Sequence, residues 1–158
     1  YSERDIPWGM LLLIGREFAM ASAFSSTQLA DWLGQRFAEL IQGQPIVVLV
    51  LGSCLLLTFL TEFTTNVATV NTLLPTLAAM AISLEIDPRL LMIPATVSAS
   101  CAFMLPIATP PNAIVFGTGR VPMNAMMRYG LLLNLIGTLV VTGWMLTLGV
   151  RVMNIPLP

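Results

Sequence analysis

The sequence predicts an all-α membrane protein whose apolar helices are interrupted at two polar points. The chain of 158 residues is 56% hydrophobic and 9% charged, whereas soluble domains carry about 25% charged residues. A soluble fold of this size would leave much of that apolar surface in water, but a bilayer accepts it. Polar residues break two of the apolar runs, at Thr61–Asn66 and at Ala108–Asn112.

The composition excludes several classes of function. The net charge is −1 and the chain has no His, so no basic patch for nucleic acid is present. Without His, zinc sites and His-based acid–base catalysis are excluded. No nucleophile–base pair stands out either, so we do not expect an enzyme. The chain begins Tyr-Ser-Glu-Arg-Asp without an initiator Met, and we expect it to start within a loop of a longer protein.

The first element runs from about Ile6 to Phe24. Pro7 suits a first helical turn and Trp8 suits the headgroup region of a bilayer. Arg16 and Glu17 interrupt the apolar run. Charges at that depth are costly, so this helix is expected to face protein or an interface.

The second element, about Ser26 to Leu40, has an amphipathic pattern. Leu29, Leu33, Phe37 and Leu40 recur at helical spacing with polar residues between them. The pattern fits a helix lying along the membrane surface, and it equally fits an ordinary helix facing a core. Gly43 and Pro45 are expected to end it.

The third element covers about Pro45 to Leu84 and has two apolar halves around the polar stretch at Thr61–Asn66. Neither half reaches the roughly 20 residues that a spanning helix needs. The pattern therefore favours a re-entrant hairpin, and a single long kinked helix is the alternative. Glu62, in the polar stretch, is either a proton-coupling group or a hydrogen-bond acceptor for the backbone of its turn. We favour the structural role, because no cationic residue is near it in sequence.

The fourth and fifth elements complete the chain. The fourth, about Pro88 to Gly119, is predicted to be a helix broken at Ala108–Asn112, because two prolines there remove backbone donors. The fifth, about Tyr129 to Val152, is predicted to be a plain spanning helix. Arg128 and Arg151 lie at its two ends and can reach headgroups.

The two polar breaks carry the predicted chemistry. If they meet, half-helix N-termini present N–H groups to an anion, and freed carbonyls present oxygen to a cation. Thr61, Thr65 and Asn66 offer the neutral oxygens that sodium prefers, and Asn66 and Thr109 can donate hydrogen bonds to a carboxylate. Neither break contains Arg, so binding of a dianion would depend on nearby sodium. The alternative is that these residues only cap turns.

At these breaks the sequence resembles the divalent anion–sodium symporters, the INDY-type di- and tricarboxylate transporters. The matching strings are Thr-Glu-Phe-Thr-Thr-Asn-Val-Ala-Thr at 61–69 and Ala-Phe-Met-Leu-Pro-Ile-Ala-Thr-Pro-Pro-Asn-Ala-Ile-Val-Phe at 102–116. The Ile-Pro-Trp start at 6–8 is similar as well. The resemblance covers nearly the whole chain, as the C-terminal half of such a transporter.

The resemblance implies a fold and a site. It implies one of two inverted repeats, with a horizontal amphipathic helix, a re-entrant hairpin, a broken transmembrane helix and a final transmembrane helix, and an elevator-like movement. In this family, Thr65-Asn66-Val67 would be the second copy of a Ser-Asn-Thr-like motif. The implied substrate-binding residues are Thr65, Asn66, Val67, Thr109 and Pro110. The implied sodium-binding residues are Thr61, Thr64, Thr65, Asn66 and Ala108.

The resemblance also implies domains and partners. Residues 1–44 would form a scaffold helix and horizontal arm, 45–119 the hairpin and broken helix of a transport domain, and 120–158 the final helix. Partners would be a small carboxylate such as succinate or citrate, sodium ions, the lipid of a plasma or inner membrane, the N-terminal half of the same transporter, and a second copy in a homodimer. Transport of sulfate or another divalent oxyanion, and a membrane module without transport, remain as alternatives.

Overall fold

The structure, a computed structural model, describes residues 15, 19, 22–23, 26–41 and 43–155. Most of the first predicted span, including Pro7, Trp8, Arg16 and Glu17, lies outside the described residues. Within the described part the regular structure is entirely helical, as the sequence predicts. Seven α-helices follow one another in that part of the chain.

The amphipathic helix α1 spans Leu29–Ile41, so it begins three residues later than predicted. Gln28 precedes it with a positive φ of 52°, a conformation that does not continue a right-handed helix. The helix packs chiefly against α3 (Asn66–Ser83). Contact is close at Gly34, where an added Cβ would lie 2.8 Å from the Leu73 side chain. Ile41 is buried, whereas Leu40, predicted to be on the apolar face, is exposed.

Helix α2 spans Ile46–Leu60 and is separate from α3. Residues 61–65, here called the hairpin turn, are non-helical, so a single continuous helix over 45–84 is excluded. Helix α4 (Arg89–Ala99) packs against both α2 and α3, and more extensively against α2. Large side chains from these helices form the core, which includes Val50, Cys54, Leu57, Leu73, Leu90 and Leu91.

The connection between α3 and α4 is fixed by an ion pair. Asp87 Oδ2 accepts a 2.5 Å hydrogen bond from Arg89 Nη2, and Asp87 Oδ1 accepts one from the Arg89 backbone N–H at 2.9 Å. These bonds hold the pKa of the Asp87 carboxyl below its ordinary value of 3.8. The Asp87 side chain thereby caps the start of α4.

The broken helix differs from its prediction. Helix α4 ends at Ala99, and helix α5 spans Pro110–Gly117, so the non-helical stretch, here called the break, covers 100–109. The predicted position at Ala108–Asn112 is wrong, because Pro110 and Pro111 form the first turn of α5. Proline is favoured at that position, since its fixed φ is helical and its missing N–H would have had no helical partner.

The last element is one rod over Met123–Val152, called the final helix below. It consists of α6 (Met123–Trp144), a π-helical turn over Met145–Gly149 and α7 (Val150–Val152). It begins six residues before the predicted start at Tyr129, because Pro122 precedes its first turn in an extended conformation. Among the described helices, this rod and α3 (Asn66–Ser83) are long and apolar enough to cross a membrane. For α3 this differs from the prediction that neither half of the third element is long enough to span.

Candidate functional site

A cavity of about 410 Å³ lies where the start of α3 meets the break and α5. Its size is within the range typical of small-molecule sites. None of its lining side chains is ionisable. They come from one residue of α3, four of the break and the first three of α5: Asn66, Ser100, Phe103, Ala108, Thr109, Pro110, Pro111 and Asn112.

Asn66 and Thr109 line this same cavity, so the two polar regions meet, as the sequence predicts. Asn66 is the first residue of α3, and its Oδ1 is buried without a hydrogen-bond partner in the described part of the chain. A buried acceptor without a partner costs about 1–3 kcal/mol. A ligand that donates a hydrogen bond to this atom, or a cation that it coordinates, would remove that cost.

The threonines of the hairpin turn are used differently from the prediction. The Thr61 hydroxyl donates to the Leu57 and Thr58 carbonyls, at 2.9 Å each, and Thr65 Oγ1 accepts from the Ala68 N–H at 3.1 Å. The Thr64 hydroxyl contacts that of Thr69 and lies 3.3 Å from the Thr65 carbonyl. These hydroxyls close the turn and cap α3, which agrees with the alternative that they are turn caps and leaves their part in binding a prediction.

Four predicted site residues share the cavity: Asn66, Ala108, Thr109 and Pro110. The other four, Thr61, Thr64, Thr65 and Val67, do not line it. Thr61 and Thr64 are buried in the hairpin turn, away from the cavity lining. The Val67 side chain is 70% exposed on the outside of α3, and it contributes nothing to the cavity.

The N-terminus of α5 offers fewer donors than predicted. Its first two residues, Pro110 and Pro111, have no N–H, and the Ala113 N–H already bonds the Thr109 carbonyl at 3.2 Å. The Asn112 side chain instead faces back into the break. Its Nδ2 donates to the carbonyls of Ala102 at 2.9 Å and Leu105 at 3.0 Å. Asn112 was not predicted to have this role.

Glu62 joins the two regions. The side chain is 1% exposed, and its two oxygens accept from the backbone N–H groups of Met104 at 2.9 Å and Leu105 at 2.8 Å. The favoured structural role is therefore supported. Its partners, however, belong to the break rather than to its own turn, and the sequence did not indicate that.

Asn134, in the middle of the final helix, is the residue that sequence reasoning missed most clearly. It is fully buried. Its Nδ2 donates to Glu62 Oε1 at 2.6 Å, and its Oδ1 accepts from the Phe103 N–H at 2.9 Å. A single Asn within an apolar span is expected to have a partner, and that signal was available. The final helix is thus not a plain spanning helix.

Gly130, one turn before Asn134, brings the final helix against the break. An added Cβ would lie 2.4 Å from the Phe103 carbonyl oxygen and 2.6 Å from Met104 Cα. Only glycine allows this approach without a backbone shift. The short distance allows Asn134 to reach Phe103.

Comparisons with known proteins give the family of this chain. The family model described as the sodium:sulfate symporter transmembrane region matches residues 2–154. The chain is 44% identical over 138 residues to the sodium-dependent dicarboxylate transporter SdcS of Staphylococcus saprophyticus, covering 87% of this chain and 26% of that protein. It is 43% identical over 136 residues to the Na(+)/citrate cotransporter of Rattus norvegicus, covering 86% and 24%. The chain therefore spans about a quarter of the length of these relatives.

Proposed function

Because this chain belongs to the family of the sodium:sulfate symporter transmembrane region, an integral membrane family, we propose that it forms part of a sodium-coupled transporter of di- or tricarboxylates such as succinate or citrate. The relatives are named as sodium-dependent dicarboxylate and citrate transporters, which supports the substrate class. The observation that carries the proposal is the cavity in which Asn66 and Thr109 face one space.

The cavity suits a carboxylate held together with a cation. Asn66 has one atom for each: Nδ2 donates to a carboxylate oxygen, and the unpartnered Oδ1 coordinates sodium. The Thr109 hydroxyl donates to the substrate and Pro110 borders it. The carbonyl of Ala108 and those of Thr61, Thr64 and Thr65 add the oxygen ligands that sodium prefers.

The absence of charge in the lining gives a reason for coupling. None of the lining side chains is ionisable, and a dianion in such a site costs energy unless a counter-charge is near. Sodium ions supply that charge. Substrate affinity then rises with sodium concentration, and the coupling acts in both directions.

The chain would perform this function as one inverted repeat. Helix α1 would be the horizontal arm of a scaffold unit at 1–44. Residues 45–119 would form a transport unit, with a re-entrant hairpin around the turn and the broken helix, and 120–158 would form the final transmembrane helix. We propose an elevator-like movement of the transport unit, a second half-site from the N-terminal half, a homodimer, and a plasma or inner membrane location.

Uptake by the full-length protein in proteoliposomes tests this function. Labelled succinate and citrate should enter in sodium buffer and not in potassium buffer. Asn66→Ala should reduce sodium-driven uptake at least about tenfold, because about 1.4 kcal/mol of lost binding is a factor of ten. The matched control is Asn71→Ala, which removes an exposed Asn of the same helix and should leave uptake unchanged. Equal uptake in both buffers would contradict the proposal.

Sulfate is the second candidate substrate, because the matched family is described as a sodium:sulfate symporter family and neutral donors also suit a divalent oxyanion. Unlabelled sulfate should compete weakly with labelled succinate if the site prefers carboxylates. Stronger competition by sulfate than by unlabelled succinate would reverse the assignment.

A further inference from the structure

Glu62 and Asn134 form a buried polar pair behind the cavity. Neither lines the cavity, and both are at most 1% exposed. Among the described residues, the carboxylate of Glu62 is contacted by three N–H donors and by no cationic side chain. In all three contacts a carboxyl oxygen of Glu62 is the acceptor and an N–H group the donor.

The pair binds three consecutive backbone N–H groups of the break. Asn134 holds the N–H of Phe103, and Glu62 holds those of Met104 and Leu105. A non-helical stretch inside a membrane protein must find such partners, because lipid offers none. With three successive donors fixed, the path of the backbone at 103–105 is fixed as well.

That path positions the cavity residues that follow. The Leu105 carbonyl accepts from the Ala108 N–H at 3.2 Å, so the position of Ala108 depends on that of Leu105. Thr109 and Pro110 come next along the chain. On the other side, Glu62 lies four residues before Asn66, within the short turn that leads into α3. The pair therefore connects both sides of the cavity.

We propose that Glu62 and Asn134 are positioning residues of the transport site, which set the spacing between Asn66 and the segment 108–110 without touching substrate or sodium. The inference rests on the proposed function. It assigns to the final helix an indirect part in binding: that helix determines the geometry of a cation site to which it contributes no ligand. Sodium affinity is then expected to depend on a residue outside the cavity.

The test compares three variants of the full-length protein in proteoliposomes. Asn134→Asp sets a second carboxylate against Glu62 and should raise the half-saturating sodium concentration about tenfold or more. Glu62→Gln keeps the side-chain volume but places an amide opposite backbone N–H groups, so a smaller rise is expected. In the variant that combines both substitutions, the amide introduced at position 62 can donate to the carboxylate introduced at position 134. The half-saturating concentration should then fall back toward the wild-type value.

Thr142→Val is the matched control on the same face of the final helix. The Thr142 hydroxyl is buried and bonds neither Glu62, Asn134 nor the break, so its replacement by an isosteric methyl group should leave sodium affinity unchanged. In the positioning variants the maximal rate at saturating sodium should stay within about twofold of the wild type, since the pair acts on binding. A fall in maximal rate with unchanged half-saturation would show a purely structural role and overturn the proposal.

Hydrogen–deuterium exchange gives a second measurement, which does not depend on transport. Amides 103–105 should exchange slowly in the wild type and faster in Asn134→Asp and in Glu62→Gln, while those of α2 stay protected. Unchanged exchange at 103–105 would overturn the proposal even if transport fell. If the wild-type protein showed no sodium-driven uptake but its amides at 103–105 were protected, the result would contradict the proposed function and leave the positioning role intact.

Discussion

The hairpin turn and the break are both non-helical stretches between apolar helices, but they are closed in opposite ways. The turn at 61–65 uses its own side chains: Thr61 bonds carbonyls three and four residues back, and Thr65 caps the helix that follows. The break at 100–109 is held chiefly by side chains from elsewhere. Glu62 and Asn134 hold its N–H groups across 31 to 43 residues, and Asn112 holds two of its carbonyls.

The difference shows how irregular backbone is tolerated in an apolar fold. In a turn of five residues, hydroxyl groups can supply the missing hydrogen bonds, because the carbonyls without a helical partner lie within one helical turn of them. In a break of ten residues, the backbone groups need hydrogen bonds from longer side chains that are fixed on rigid helices. The break therefore depends on packing between elements, whereas the turn depends on local sequence. The cavity lies at their junction, so its shape depends on both.

Gly130→Ala should have the largest effect and would test whether the break depends on the final helix. The new methyl group would meet the backbone of Phe103 and Met104, which cannot move aside as a side chain can. We expect a loss of about 3 kcal/mol in stability, measured by thermal unfolding in detergent. Gly143→Ala on the same helix meets open space and should be neutral or slightly stabilising. If Gly130→Ala and Gly143→Ala changed the stability equally, the break would not depend on close contact with the final helix.

Asn112→Ala should have an intermediate effect and would test the break from its other side. It removes the side-chain donor to the Ala102 carbonyl and one of the two donors to the Leu105 carbonyl, which keeps the Ala108 N–H, at a cost of about 2 kcal/mol. Thermal unfolding again measures the loss, and the midpoint should fall. Asn124→Ala, an exposed Asn at the start of α6, is the control. A midpoint as high as that of the control would mean that the Asn112 bonds contribute little.

Thr65→Ala should have the smallest effect and would test whether the turn is closed locally. The variant loses the cap on the Ala68 N–H, which is worth about 1 kcal/mol, while Thr65→Ser keeps the oxygen and should remain close to the wild type. The unfolding midpoints of the two variants give the comparison. If Thr65→Ser lowered the midpoint as much as Thr65→Ala, then packing of the threonine methyl group, and not the cap, would stabilise the turn.

The sequence by itself determined the helical membrane class, the separation of α2 from α3, and the presence of two polar breaks. These depend on apolar run length and on short polar clusters, which are local properties of the chain. The bounds of α2 and α3 follow from the same pattern. The double proline correctly indicated a discontinuity in the helix. The sequence did not show on which side of that discontinuity the prolines lie, because proline can end one helix or begin the next.

Only the tertiary structure decided which atoms satisfy the break. Residues 100–107 are mostly apolar and read as helix, and nothing local shows that Glu62, Asn134 and Asn112 will supply its hydrogen bonds. Whether a stretch can leave the helix depends on partners that are far away in sequence and become neighbours only when helices pack. For the same reason, the lone Asn134 indicates that a partner exists without identifying it.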